Sequence, residues 1–363
     1  MPADAVVDQI AVPLRPKMCP GVFQPGEDQK AALVSQRAEQ FGIRHIANLP
    51  INELCVNHHG ESNGARAMPL LPFSTVDVFT ETRFGGNPLA VVVGGEGLSD
   101  AVMQAVAAEF NLSETVFVLP PADPAHTARV RIFNRTEEMA FAGHPMVGTA
   151  FVLATADADL GTATFEIPAG IVHIEVERNA AGVPVGASVA APQPLSLGET
   201  VPPEVVARML RLAPGDILVT AHPPILASVG NAYVIAELDE TALARCDPDL
   251  AAFRETLAEY PQFGTRLSVH VYCRQGRTLR ARMFAPLAGT WEDPATGSAN
   301  APLAGLLLSL DPAAEEARFE IHQGIEMGRP SLLDVTARRT PDGIRATLRG
   351  TCVPVMKGEI DCG

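Results

Sequence analysis

Gly86-Asn87-Pro88-Leu89-Ala90-Val91-Val92 has a second copy in the chain, Gly230-Asn231-Ala232-Tyr233-Val234-Ile235-Ala236. Each copy reads as a Gly-Asn turn feeding an apolar strand. At nearly the same spacing Arg131-Ile132-Phe133 returns as Arg282-Met283-Phe284, and Ala142-Gly143-His144-Pro145 returns as Thr296-Gly297-Ser298-Ala299. Three matches in one order point to a duplicated unit. In both copies the last Gly opens a stretch of small and apolar residues, 146–154 and 301–310. Residues apolar nearly all round a helical wheel predict a helix buried on every side. A sheet of its own repeat, wrapped around it, would supply that cover.

Outward from these anchors, each repeat alternates short strands with helix. Residues 100–110 carry a stripe of Val102, Met103, Val106 and Ala107 and read as an amphipathic helix. Strands are expected from residue 74, and over 116–119, 128–133, 163–167, 171–176, 268–273 and 279–284. The Pro-rich stretch 191–203 is the natural linker. The expected division is a first half-domain over 68–195 and a second over 196–363, with the final strands free to return to the first. Residues 1–67 lack strand-like alternation and read as a poorly ordered appendage, with a solitary helix over 28–41 and the functional region beginning near Met68. Within the appendage, Asn57-His58-His59 is a poor metal site, because adjacent histidines diverge and no third ligand follows at useful spacing.

A hydrophobic content of 47% can furnish sizeable cores, and 363 residues exceed what one core usually serves. The net charge of −15 argues against nucleic-acid or anionic-membrane partners, which select a basic face. No apolar run approaches the ~20 residues of a membrane span, and no secretory leader is evident at the start. The six cysteines are scattered without a CxxC pair, so neither structural zinc nor a disulfide framework is expected, and a reducing cytoplasm fits.

A helix start presents unpaired N–H groups and the positive end of the dipole. Two Gly-led starts facing each other would make a cleft suited to a carboxylate, with His144 and Ser298 at matching places. Taken singly, Ser298 is a helix cap and His144 a loop histidine. Their matched positions favour a shared site, with Gly143, Gly297 and Ser298 as substrate contacts. Glu114, in Ser113-Glu114-Thr115, falls in a helix-to-strand corner. Asp293 falls in a tight loop ahead of the second Gly-led helix. A surface glutamate and a turn aspartate are the plain alternatives, and spacing alone leaves both open.

Five blocks in order resemble the PhzF-like phenazine-biosynthesis family. They are Asp77-Val78-Phe79-Thr80 with Phe84-Gly85-Gly86-Asn87-Pro88, Asn111-Leu112-Ser113-Glu114-Thr115, Phe141-Ala142-Gly143-His144-Pro145, Glu292-Asp293-Pro294-Ala295-Thr296-Gly297-Ser298, and Gln323-Gly324 through Met327-Gly328-Arg329-Pro330-Ser331. The resemblance implies an α+β, diaminopimelate-epimerase-like fold of two pseudo-symmetric half-domains, each a sheet curled around a central helix. It implies a homodimeric, cofactor-free isomerase without a metal, in which Glu114 is the principal acid/base and His144, Asp293 and Ser298 assist. In the phenazine enzyme the substrate is trans-2,3-dihydro-3-hydroxyanthranilate. The related epimerases and proline racemases use one cysteine from each half. Here those places hold His144 and Ser298, and serine at its ordinary pKa cannot replace a thiolate base. The chain departs from the family at Asn134-Arg135-Thr136-Glu137, where Thr-Pro is more usual after the Phe. That leaves the phenazine substrate open, beside a cysteine-free amino-acid racemase and a non-catalytic binding homologue.

Overall fold

A computed structural model describes residues 70–264 and 266–363. The expectations for residues 1–67, including the helix over 28–41, the Asn57-His58-His59 cluster and the start near Met68, lie outside the described residues.

The first Gly-Asn turn sets a hairpin. Strand β1 (Leu70–Val78) runs antiparallel to β2 (Asn87–Val93). Gly86 between them has φ 61°, and a Cβ there would stand 2.3 Å from the Val78 carbonyl oxygen, so the turn requires glycine. Helix α1 (Asp100–Phe110) then leads to β3 (Glu114–Leu119), which pairs in parallel with β2. Strand β4 (Ala128–Phe133) is antiparallel to β3, and the two-residue β5 (Glu138–Met139) pairs with its end. Helix α2 (Gly143–Ala156) crosses over to β6 (Thr162–Ile167), parallel to β4; β7 (Gly170–Arg178) and β8 (Pro184–Ala190) continue antiparallel.

The second repeat follows the same plan. The 191–203 stretch is not a structureless linker: it contains β9 (Ser196–Thr200) and is followed by α3 (Pro203–Met209). After the short β10 (Ile217–Leu218) come β11 (Ile225–Ser228), antiparallel to β9, and β12 (Ala232–Leu238), antiparallel to β10 and β11. Helices α4 (Glu240–Arg245) and α5 (Leu250–Glu259) precede β13 (Val269–Gln275), parallel to β12. Strand β14 (Thr278–Ala285) is antiparallel to β13 and takes the short β15 (Thr290–Asp293) on its end. Helix α6 (Gly297–Ser309) crosses over to β16 (Glu316–Gln323), parallel to β14, and β17 (Ser331–Thr340) follows antiparallel. Each strand from β2 to β7 thus has a counterpart ten places on.

Strand β18 (Gly343–Asp361) joins both sheets. Its first part pairs with β17, its middle with β8 and its last part with β1. The first sheet therefore closes on itself through β18. The second is tied shut by backbone bonds from Leu195 to Ile344 and from Gln193 to Val229. A closed sheet leaves no bare edge.

Each crossover helix fills its curled sheet. Every residue from Gly143 to Phe151, and every residue from Gly297 to Leu308, is buried. By contrast α1 lies outside its sheet and buries one face only, Met103, Val106 and Ala107 packing with Phe117 and Phe133. The outer helices of the second repeat do the same around Phe253, Val206 and Leu243. The four described cysteines are free and buried. No helix among the described residues is long and apolar enough to cross a membrane.

Candidate active site

The two Gly-led helix starts abut. A Cβ on Gly143 would meet the Cα of Gly297 at 3.4 Å, and one on Gly297 would lie 2.2 Å from Cδ2 of Leu348. A side chain at Gly297 would collide with Leu348 of β18, so glycine there lets the Leu348 side chain pack against the helix start. Neither helix has a side-chain cap; in the first turn of α6 the Ala299 N–H donates to the Thr296 carbonyl, whereas those of Gly297 and Ser298 have no intrahelical partner. Ser298 is not a cap: its hydroxyl shares a 2.6 Å hydrogen bond with that of Tyr233. Both starts line a cavity of about 310 Å³ together with Glu114, His144, Asp293, Ser298, Tyr233 and Arg266. All six residues singled out in the sequence therefore meet in one place.

Local sequence accounts for where each stands. Ser99 caps α1 by accepting from the Val102 N–H, and Asn111 ends the helix in the left-handed region at φ 52°. Asparagine tolerates that conformation, and the chain turns there so that Glu114 opens β3. Asp293 closes β15, set by a pair that both repeats share. Arg131 forks onto Glu138 in the first, and Arg282 onto Glu292 in the second, at 2.8 Å through both nitrogens. Each guanidinium also lies over the phenylalanine two residues on, Phe133 or Phe284. The recurring Arg-x-Phe thus anchors the loop ahead of each buried helix. It leaves the next residue, Met139 or Asp293, on the cavity wall.

The paired asparagines cross-brace the repeats. Asn87 donates to the Ala295 carbonyl at 2.9 Å, and Asn231 donates to the Phe141 carbonyl at 3.3 Å, the equivalent atom before the other helix. Asn87 donates also to Asp293 Oδ1 at 2.9 Å. Sequence reasoning took both as turn residues; their presence in both copies was the available signal. Asn87 is itself held by the first and fifth sequence blocks, because Arg329 bonds Asp77 and the carbonyls of Gly85 and Gly86.

The two acids have different surroundings. Asp293 accepts from Asn87, from Thr296 at 2.5 Å and from Ser113 at 3.4 Å, with Thr296 held by Gln323. Burial raises its pKa, and those donors oppose the rise. Glu114 has a pKa raised by burial first and by the charge of Asp293 second, with Arg266 and Arg135 opposing. Its Oε2 has no hydrogen-bond partner. His144 Nε2 approaches that oxygen to 3.1 Å, an ion-pair distance, without hydrogen-bond alignment. Burial lowers His144 to about 3, so the ring is neutral near pH 7. The pair is therefore best described as an acid beside a neutral imidazole, with no ion pair. Asn87 Nδ2 lies 3.4 Å from His144 Nδ1, but its two hydrogens already go to Asp293 and the Ala295 carbonyl.

The family model for phenazine biosynthesis-like proteins matches residues 76–358. An uncharacterized isomerase of Mesorhizobium japonicum is 41% identical over 266 residues, covering 70% of this chain and 86% of that protein. Trans-2,3-dihydro-3-hydroxyanthranilate isomerase of Pseudomonas aeruginosa is 35% identical over 275 residues, covering 76% and 93%. Among solved structures, a phenazine biosynthesis protein of the PhzF family from Bacillus anthracis superposes with a TM-score of 0.71 at 25% identity, covering 81% of this chain and 99% of that one. By sequence and by fold, the chain belongs to the PhzF family of phenazine biosynthesis-like proteins.

Proposed function

We propose that this chain is a cofactor-independent isomerase that moves a proton within a small carboxylated substrate, with Glu114 as the shuttling group. The observation that carries this reading is the orphaned Glu114 Oε2, buried at the cavity beside neutral His144. A carboxyl stripped of water and of hydrogen-bond donors is a stronger base than a solvated one, and its raised pKa brings it toward neutral pH. Asp293, which has three donors, is better suited to holding its charge and to positioning a substrate amine or hydroxyl. The substrate carboxylate would sit at the two helix starts with Ser298, where unpaired N–H groups converge.

On trans-2,3-dihydro-3-hydroxyanthranilate, ionised Glu114 would take the proton from C3 while the ring double bonds shift. The same carboxyl would return a proton to C1, giving an enol that tautomerises to the ketone. His144 would steady Glu114 between the two positions. The proton is removed and returned by one side chain, so the step uses no external acceptor. A homodimer, implied by the family resemblance, belongs to the same proposal and is checked by light scattering.

A second reading, racemisation of an amino acid, is favoured by one feature: Glu114 and Asp293 come from different repeats and converge on one cavity. Incubation in deuterated water separates the two. Conversion of the dihydro-3-hydroxyanthranilate diene with label in the ring supports the isomerase. Labelled inversion at an amino-acid α-carbon, with the diene untouched, would replace it by the racemase.

A further inference from the structure

One guanidinium group, from the second repeat, lines the cavity, and another, from the first repeat, reaches the loop beside the cavity-lining Thr290. Arg266 lines the cavity and is half exposed. Arg135 donates to the Gly289 carbonyl at 3.1 Å, reaching across to the loop ahead of β15. The only carboxylate paired with Arg266 among the described residues is Glu137, with Oε1 at 3.0 Å from Nη1 and its side chain 52% exposed. Glu137 rides on a tight turn in which Asn134 Oδ1 accepts from the N–H groups of Thr136 and Glu137. Both charges are felt inside, since Arg266 and Arg135 each oppose the rise in the Glu114 pKa.

An exposed ion pair of this kind is worth little, on the order of 0–1 kcal/mol, so its carboxylate is readily exchanged for another. The cavity between Arg266 and the helix starts is walled by Phe263, Leu267, Met139 and Met283. A ligand that fits has an apolar middle and an acid group at each end. The overall charge of −15 makes a guanidinium on the cavity wall a local exception, suited to drawing in an anion.

We infer that Arg266 is a seat for a second anionic group, occupied in this structure by the Glu137 carboxylate, and that the site takes small dicarboxylates as well as monocarboxylates. The inference rests on the carboxylate seat at the helix starts put forward above. Glu137 then acts as a competitor: it neutralises Arg266 until a diacid displaces it. The turn bearing Glu137 is also where the sequence departs from the family pattern, which gives the departure a physical consequence for specificity.

The test is a binding series on the full chain with succinate, glutarate and adipate, each against the monoacid of equal carbon number. In the unaltered protein at least one diacid should bind about tenfold more tightly than its monoacid. Arg266→Gln should erase that preference, lowering diacid affinity by more than monoacid affinity. Glu137→Gln should widen it. Opposite signs for two partners of one ion pair would not arise if the pair merely stabilised the loop. Equal affinity for diacid and monoacid in both the unaltered protein and Glu137→Gln, or a preference surviving Arg266→Gln, overturns the inference and spares the carboxylate seat. Failure of both acid classes to bind overturns the seat as well.

Discussion

At four matched places the first repeat carries Leu89, Glu114, Met139 and His144, and the second carries Tyr233, Ser268, Asp293 and Ser298. The correspondence follows from the ladders: Leu89 pairs with Glu114 as Val234 pairs with Val269 one step on, and Met139 faces Ile132 as Asp293 faces Met283. Backbone and braces are shared between the repeats, whereas the reactive groups are not. One repeat offers an unpartnered carboxyl with a neutral histidine, and the other offers a well-bonded carboxyl with three hydroxyls. Duplication built a symmetric cradle of two helix starts, and divergence at its walls made the pocket two-sided. A two-sided pocket can bind a substrate in one orientation, which a shuttle between two distinct carbons requires.

The sharpest way to break that comparison is through the shared arginines. Arg282 and Glu292 are nearly buried, whereas Arg131 and Glu138 are partly open to water. Arg282→Ala leaves Glu292 buried without its partner and should cost about 3–5 kcal/mol of unfolding free energy. Arg131→Ala should cost about 1 kcal/mol. Urea denaturation measures both; equal losses would mean that the two anchors are not differentiated by burial.

The asparagine braces come next. Asn87→Ala removes donors to a carboxylate and a carbonyl and should cost about 2–3 kcal/mol, whereas Asn231→Ala removes one bond to a neutral carbonyl and should cost about 1 kcal/mol. The first substitution should also raise the Asp293 pKa further, visible by carboxyl NMR; the second should leave it unmoved.

The last contrast is electrostatic. The folded-state pKa of Glu114 lies above its unfolded value, so between the two the native state binds more protons than the unfolded chain. Stability contributed by this group is full below the ordinary carboxyl range and is lost as pH rises toward the folded value. Glu114→Gln cannot ionise, so its melting temperature relative to the unaltered protein should rise from about pH 5 to about pH 8. His144 has the opposite sign: its folded value, about 3, lies below that of the unfolded chain, so its contribution is lost as pH falls through the ordinary histidine range. A flat difference for Glu114→Gln would show that the carboxyl titrates normally.

Some of this was legible in the sequence because burial writes a periodic signature. The helices after Gly143 and Gly297 are apolar all round and are wrapped on all sides. The stripe in 100–110 gave the observed α1, and 128–133 gave the observed β4. Strand β9 was illegible because all five of its residues are exposed; it is a strand through backbone pairing alone, and proline-rich sequence around it reads as linker. The double use of β18, which serves two sheets along its length, likewise leaves no local mark. At the site, His144 and Ser298 were reached through their matched places in the repeat, and Glu114 and Asp293 through motif order. Tyr233, Arg266 and Gln323 were missed because their partners, Ser298, Glu137 and Thr296, lie far away in sequence and are brought near only by folding. The clamp of Arg329 on Asp77, with 252 positions between them, is the extreme case.

The most direct measurement is solvent-deuterium incorporation into trans-2,3-dihydro-3-hydroxyanthranilate by the unaltered chain and by Glu114→Gln, with circular dichroism confirming that both are folded. Label should enter with the unaltered chain and fall to background with the variant. Undiminished incorporation by a folded Glu114→Gln protein would remove Glu114 from the reaction and with it the single-carboxyl shuttle.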